Sequence, residues 1–216
     1  MSYRVVCISR DVGAGGEDIG RAVASQLGFR YVDEEIVRRV AEQSGLDHAK
    51  VAGAEERRGL IARLLDAVEQ SAAGLPEPYM YAADVQLPGP PGDEVRELIR
   101  EAVRQTADDG DVVIVAHAAS HVLAGREEAL RVWVTGSPDA CAKRLVAQSE
   151  VDAKRAGELV EGGRKARADY LRRFHDVKQE LPSQYDVVLS TDALSVDDAA
   201  AAVVMLASRG RAGLAN

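Results

Sequence analysis

Cysteine is scarce: Cys7 and Cys141 are the only two in 216 residues, too few for a disulfide framework. Both lie in apolar stretches, where a reduced thiol packs as a small hydrophobe, and neither is given a catalytic role. Positive charge is also short, with 27 Lys and Arg against 35 Asp and Glu and a formal net charge of -8. That balance excludes a general attraction to a nucleic-acid polymer or an acidic membrane surface, so any anion site must be local. No long apolar run follows a basic start at the N-terminus. The longest late apolar run, Ala199 to Ser208, is too short to span a bilayer, which predicts a cytoplasmic protein that does not enter a membrane. Aromatic residues make up only 4%. Trp133, in an apolar run, and Tyr170, among charges, fit packing better than base stacking.

What is present is an alternation of strand and helix patterns. Val5 to Ile8 is a β-branched run, a glycine-rich segment from Ser9 to Gly16 follows it, and Ile19, Val23, Ala24 and Leu27 then recur at helical spacing. Gly28 stops that helix, Phe29 to Val32 reads as a second strand, and helical spacing resumes at Ile36, Val37, Val40 and Ala41. Gly74 to Gly92 holds five of the seven prolines and reads as a loop or flap, with Tyr79 and Tyr81 open to a base, a partner or the protein's own surface. Asp93 opens a helix with Val95, Leu98, Ile99, Ala102 and Val103 on one face, leading to the fully apolar strand Val112–Val115. Arg131 to Thr135 is the fourth strand. Ser137-Pro138 caps a helix that carries Cys141, Leu145 and Val146 inward, a charged helical region runs from about Asp152 to His175, and Tyr185–Leu189 is the fifth strand before a last helix capped by Ser195 with Asp198.

Five strands alternating with helices predict an α/β chain. The expected form is a three-layer α/β/α sandwich around a five-stranded parallel sheet, because each parallel crossover needs a covering helix. One domain over residues 1–216 is expected, with a core at 1–48 and 93–216, an insertion at about 49–92 and a helical lid at about 152–178.

The loop after the first strand carries most of the chemistry. Gly13, Gly15 and Gly16 let backbone amides turn inward around an anion, and the next helix points its positive end at the same place. In the dinucleotide pattern G-x-G-x-x-G the third glycine would fall at Asp18, which weakens that reading, although Asp33 ends the second strand where a ribose-binding acid would stand. The longer loop from Ser9 to Gly16 fits a P-loop better. Against G-x-x-x-x-G-K-[ST], however, the first glycine falls at Arg10 and the lysine at Gly16, so the usual phosphate-clamping cation is missing.

The segments Ile8-Ser-Arg-Asp-Val-Gly-Ala-Gly-Gly-Glu-Asp-Ile-Gly-Arg and Leu27-Gly-Phe-Arg-Tyr-Val-Asp-Glu-Glu-Ile-Val resemble the opening of the cytidylate-kinase-like family. Val112 to Leu123, Arg131 to Leu145, Arg164 to Phe174 and Tyr185-Asp-Val-Val-Leu-Ser-Thr follow in that family's order, leaving Ala49 to Pro91 outside the resemblance. The resemblance implies a P-loop kinase fold, ATP with Mg²⁺ as donor, and phosphoryl transfer to a nucleoside monophosphate such as CMP. A nucleotide-binding regulatory pseudokinase with little or no transfer is the alternative, motivated by Gly16, His117 and Arg164. Nucleotides are the expected partners, and a homo-oligomer is left open.

Site residues follow from the loop and the resemblance together. Gly13, Ala14, Gly15, Gly16, Glu17 and Asp18 are expected around phosphate, with Arg10 and Arg167 as the catalytic cations. Asp18 is also the candidate metal ligand, although an acid in a first helical turn is equally a partner for the helix dipole. Arg21 reads as a solvated helix face before it reads as a cation folding back on the loop. Asp33, Arg38 and His117 are the acceptor-binding candidates, Asp33 doubling as a helix cap. Between Arg164 and Lys178 six basic residues face Asp169 and Asp176. There Arg164, Arg167 and Arg172 are expected to close over the donor phosphates. The family's acid aligns with Arg164 and its Gly-Arg with Ala116-His117, two departures that weaken the expected grip. His117 and His121 stand four apart, but the glutamate of H-E-x-x-H is replaced by Ala118, and a packed pair is expected in place of a metal site.

Overall fold

The run Val5–Ile8 has no polar face, so the strand it forms must be covered on both sides. In the computed structural model, which describes residues 2–33, 93–116, 118–149 and 151–210, it becomes the centre of a parallel sheet. In chain order the elements are β1 (Val5–Arg10), α1 (Gly16–Leu27), β2 (Arg30–Asp33), α2 (Asp93–Asp109), β3 (Val112–Val115), α3 (Ala119–Val122), β4 (Ala129–Thr135), α4 (Pro138–Gln148), α5 (Ala153–His175), a 3-10 turn (Pro182–Gln184), β5 (Val187–Ser190) and α6 (Val196–Arg209). The sheet order is β2-β3-β1-β4-β5, and every pairing is parallel.

Alternation along β1 divides the core into two faces. Val6 and Ile8 pack with Ile19 and Val23 of α1 and with Ala199, Ala200 and Val203 of α6. Val5 and Cys7 pack on the other face with Ala102, Val103 and Ala107 of α2 and with Leu123. Three layers result, as the alternation predicts. Burial pushes the Cys7 thiol up to about 12, which leaves it an inert packing group.

The expected caps are made. Ser137 Oγ accepts from the Ala140 amide at 3.3 Å, Asp152 Oδ1 from the Arg155 amide at 2.8 Å, and Ser195 Oγ from the Asp198 amide at 3.1 Å. Two expectations need correcting. Val146 is not inward but 39% exposed, because α4 turns only Cys141 fully into the core, with Leu145 packed at its margin. The last strand begins at Val187 and not at Tyr185, with the Asp186 amide donating to Arg131 O at 2.8 Å and its carboxylate accepting from the Arg131 amide and guanidinium at 2.9 and 3.0 Å just before it. The insertion at 49–92 and the tyrosines at 79 and 81 lie outside the described residues. Among those residues no helix is long and apolar enough to cross a membrane.

Candidate functional site

β1 has β3 on one side and β4 on the other, so the chain changes sides at this strand. In open parallel sheets such a switch leaves a crevice at the strands' C-terminal ends. The glycine loop, residues 11–15, stands there.

Its shape depends on two residues in the left-handed region, Gly13 at φ 74° and Gly15 at φ 77°. At Gly13 a Cβ would also come within 2.6 Å of the Cys141 carbonyl oxygen. The turn uses the amide of Asp11 for Val134 O, at 3.0 Å, and that of Ala14 for Asp11 O, at 3.1 Å. The amides of Gly13, Gly15 and Gly16 have no carbonyl acceptor among the described residues. Gly15 caps α1 without any side-chain hydrogen bond among the described residues, so there the helix's first amides and its positive end point to the loop.

Three guanidiniums surround this loop. Arg10 is 8% exposed, its stem lying over Gly16 and its Nε donating to Glu17 Oε1. Arg144, on α4, donates through Nη1 to Gly13 O and through Nη2 to Thr191 O at 2.9 Å. Arg164, on α5, donates through Nη2 to Asp11 Oδ2 at 3.1 Å and to Gly136 O, while its buried Nε has no partner among the described residues.

Asp11 is the residue that sequence reading passed over. It is 5% exposed and accepts from Thr135 Oγ1 at 2.7 Å and Trp133 Nε1 at 3.3 Å besides Arg164. A carboxylate with three donors organises the loop. Arg144 was missed as well, since a helical arginine beside the inward Cys141 carries no distinguishing pattern. An acid directly after a buried strand was the available signal for Asp11.

Other expected residues are placed differently. Asp18 faces Gln148 Nε2 at 3.3 Å and Arg21 at 3.6 Å. Arg21 lies 5.2 Å from the centre of the Tyr31 ring, a packed helix-face position. Arg167, expected over the donor phosphates, is 5% exposed and donates to Glu180 through Nε at 2.8 Å and to Tyr185 Oη at 3.1 Å. Its charge is committed to Glu180, whose carboxyl is shifted down by that pairing against the upward pull of burial. Tyr185 Oη also meets Glu180 and lies 3.3 Å from His121 Nε2. Arg172 is mostly exposed and pairs with Asp169 at 2.6 Å. Asp33 ends β2 at the same sheet edge, half-buried. Arg38 and His117 lie outside the described residues.

Helix α5 therefore sits across the C-terminal edge of the sheet. Gly163 meets Val12, Arg164 reaches Asp11, and Arg167 reaches Tyr185. Among the described residues no cluster of three or more His, Cys, Asp or Glu is arranged to hold a metal ion.

Comparison with known proteins agrees with this geometry. The family model described as the cytidylate kinase-like family matches residues 5–193. A cytidylate kinase from Rhizobium meliloti (strain 1021) is 27% identical over 175 residues, covering 81% of this chain and 76% of that protein. A cytidylate kinase from Sinorhizobium medicae (strain WSM419) is 29% identical over 182 residues, covering 83% and 77%. The crystal structure of an uncharacterized protein from Eubacterium ventriosum superposes with a TM-score of 0.65 at 16% identity, covering 93% of this chain and 96% of that one, a likeness of fold. The chain belongs to the cytidylate kinase-like family and is a phosphotransferase of the nucleotide-kinase type.

Proposed function

We propose that the protein moves the terminal phosphoryl group of ATP onto a nucleoside monophosphate, with CMP as the leading acceptor. The observation that carries this reading is the set of loop amides at Gly13, Gly15 and Gly16, without carbonyl acceptors and ringed by Arg10, Arg144 and Arg164. Such a cradle suits phosphate oxygens, and backbone donors fixed in advance favour the charge that shifts during transfer.

In the transfer an oxygen of the acceptor's phosphate bonds to the terminal phosphorus as the bond to the bridging oxygen breaks, releasing ADP. An acceptor already ionised needs no general base, so the work left to the protein is alignment and charge neutralisation. Arg10 takes the role of the missing lysine: it lies against Gly16 and exchanges its contact with Glu17 for the bound phosphates. Arg144 holds the loop from the side of α4, and Arg164 holds it from α5. Arg167 acts indirectly by fixing α5 to Glu180 and Tyr185.

For Mg²⁺ the described carboxylates near the loop fit poorly, since Asp11, Glu17 and Asp18 all face donors of the protein itself. We infer that the ion enters with the nucleotide's phosphates, and no step is assigned to it. On the acceptor side Asp33, Arg38 and His117 remain the proposed contacts.

The test is ADP release by a coupled assay with ATP, Mg²⁺ and each of CMP, UMP, AMP and GMP, beside thermal shifts with the same nucleotides. A ligand at 100 times its dissociation constant adds about 2.7 kcal/mol to the folded state, enough to see as a raised midpoint. Stabilisation by ATP and CMP with ADP formed only when both are present supports the reading. Stabilisation without ADP removes the transfer step, and stabilisation by NAD alone removes the nucleotide-kinase site.

A further inference from the structure

Where the signature G-x-x-x-x-G-K-[ST] ends in a hydroxyl, this chain carries a carboxylate, Glu17. It is the second residue of α1, one place after the glycine that stands for the lysine. An acid in a first helical turn suits the helix dipole, but Asp18 beside it serves that purpose equally. A negative charge at the mouth of a loop that takes phosphate also repels the ligand. Glu17 differs from Asp18 in where it turns.

Its side chain reaches back to the loop, where Arg10 Nε donates to Glu17 Oε1. The two partners differ in freedom. Arg10 comes from the end of β1, its side chain is 10% exposed, and its stem lies against Gly16, so the guanidinium is held in place. The Glu17 side chain is 37% exposed and sits on the first turn of α1, from which it can swing into water without moving the backbone. It supplies a carboxylate to a guanidinium that burial makes costly to leave without one. A phosphate at the loop competes for that same guanidinium, and Glu17 is the partner able to leave.

The competitor is tethered, seven positions along the chain from Arg10. A group on a short tether acts at an effective concentration on the order of mM, which a lone phosphate must exceed before it takes the guanidinium. The phosphates of ATP meet the loop amides and Arg10 together, so they prevail where a single phosphate group does not. A kinase whose two substrates both carry phosphate benefits from this difference, because the monophosphate acceptor stays out of the donor loop.

We propose that Glu17 is a specificity-determining residue: an internal competitor that holds Arg10 against single phosphate groups and releases it to a polyphosphate. The inference rests on the reading of the glycine loop as the donor site, and it gives that site a threshold in the number of phosphates.

The full chain, Glu17→Gln, Arg10→Gln and the double variant are titrated by calorimetry with ATP and Mg²⁺, alone and in the presence of inorganic phosphate at about 10 mM, above the tether's effective concentration in neither excess nor defect of tenfold. Glu17→Gln should bind ATP about tenfold more tightly than wild type, and phosphate should displace ATP from it more readily. In transfer assays the same variant should be inhibited by excess CMP, an inhibition that more ATP relieves. In the Arg10→Gln background the change at 17 should alter ATP affinity less than about twofold, since the competition acts through Arg10. Glu17→Asp keeps the charge but draws it back by one methylene, so it should bind ATP about threefold more tightly, and it decides the matter if Arg10→Gln does not fold. A tenfold gain that persists without Arg10, or wild-type affinity in Glu17→Asp, would reduce Glu17 to a repelling charge and overturn the proposal. ATP affinity and phosphate competition in Glu17→Gln equal to wild type would overturn it while the donor loop stands, and ATP binding to none of the proteins would overturn both.

Discussion

The side chain of Arg10 occupies the space that any side chain at position 16 would need. A Cβ built on Gly16 would stand 2.6 Å from Arg10 Cβ and 3.0 Å from its Cδ. These are two of the three positions where the chain departs from the P-loop signature, arginine for the first glycine and glycine for the lysine, the third being Glu17 for the serine or threonine. Arg10 leaves no room for the usual lysine at 16, so the two departures are coupled and not independent losses.

Gly16→Ala should therefore destabilise the protein by about 1–3 kcal/mol, the usual cost of overpacking. In an Arg10→Gly background the same change should cost far less. Urea unfolding of the four proteins gives the coupling directly. Equal costs in both backgrounds would dissolve it.

Arg144→Gln should weaken ATP binding about tenfold while moving the thermal midpoint little, since the lost contacts go to the carbonyls of Gly13 and Thr191 at a half-buried surface. Calorimetry with ATP reads the first effect and a melting curve the second. ATP affinity equal to wild type would take Arg144 out of the donor site.

Arg167→Met should behave in the opposite way. Leaving Glu180 without its partner in a buried setting costs about 3–5 kcal/mol, so urea stability should fall steeply. The fraction that remains folded should bind ATP within about twofold of wild type, a change under ~0.5 kcal/mol. A tenfold loss of ATP affinity at unchanged stability would restore Arg167 to the phosphates.

Stability should fall as the solution is acidified from about pH 6.5 towards 4. Over that window the unfolded chain binds a proton at His175 that the folded chain refuses, so folding weakens as pH drops. Part of the imidazole meets solvent, which keeps the slope below the ~1.4 kcal/mol per pH unit of one fully coupled proton. Chemical denaturation at several pH values, for wild type and His175→Asn, measures it. A slope unchanged by the substitution would assign the pH dependence elsewhere.

Strands and glycine loop were legible in the sequence because their signals are local. Val112–Val115 reads as buried from its four β-branched residues, and Ser137-Pro138 marks a helix start unaided. The functions of the arginines were not legible. Arg164, Arg167 and Arg172 look alike as members of one basic helix, yet one holds the loop, one is buried against Glu180 and one faces solvent beside a cavity. Those fates are set by Asp11 and Glu180, on other parts of the chain, and by where Tyr185 presents its phenol. Asp11 itself was hidden because its three donors come from β4 and α5, more than 120 residues away.

Gly163 stands against the side chain of Val12 so closely that a methyl group between them finds no room. The two positions thus share one fixed volume, half of it in the loop and half in the helix. Any descendant or relative that acquires a side chain at 163 must give up bulk at 12. Gly163→Ala joined with Val12→Gly is permitted on this ground, and Gly163→Ala beside an unchanged Val12 is forbidden unless the helix lifts off the sheet.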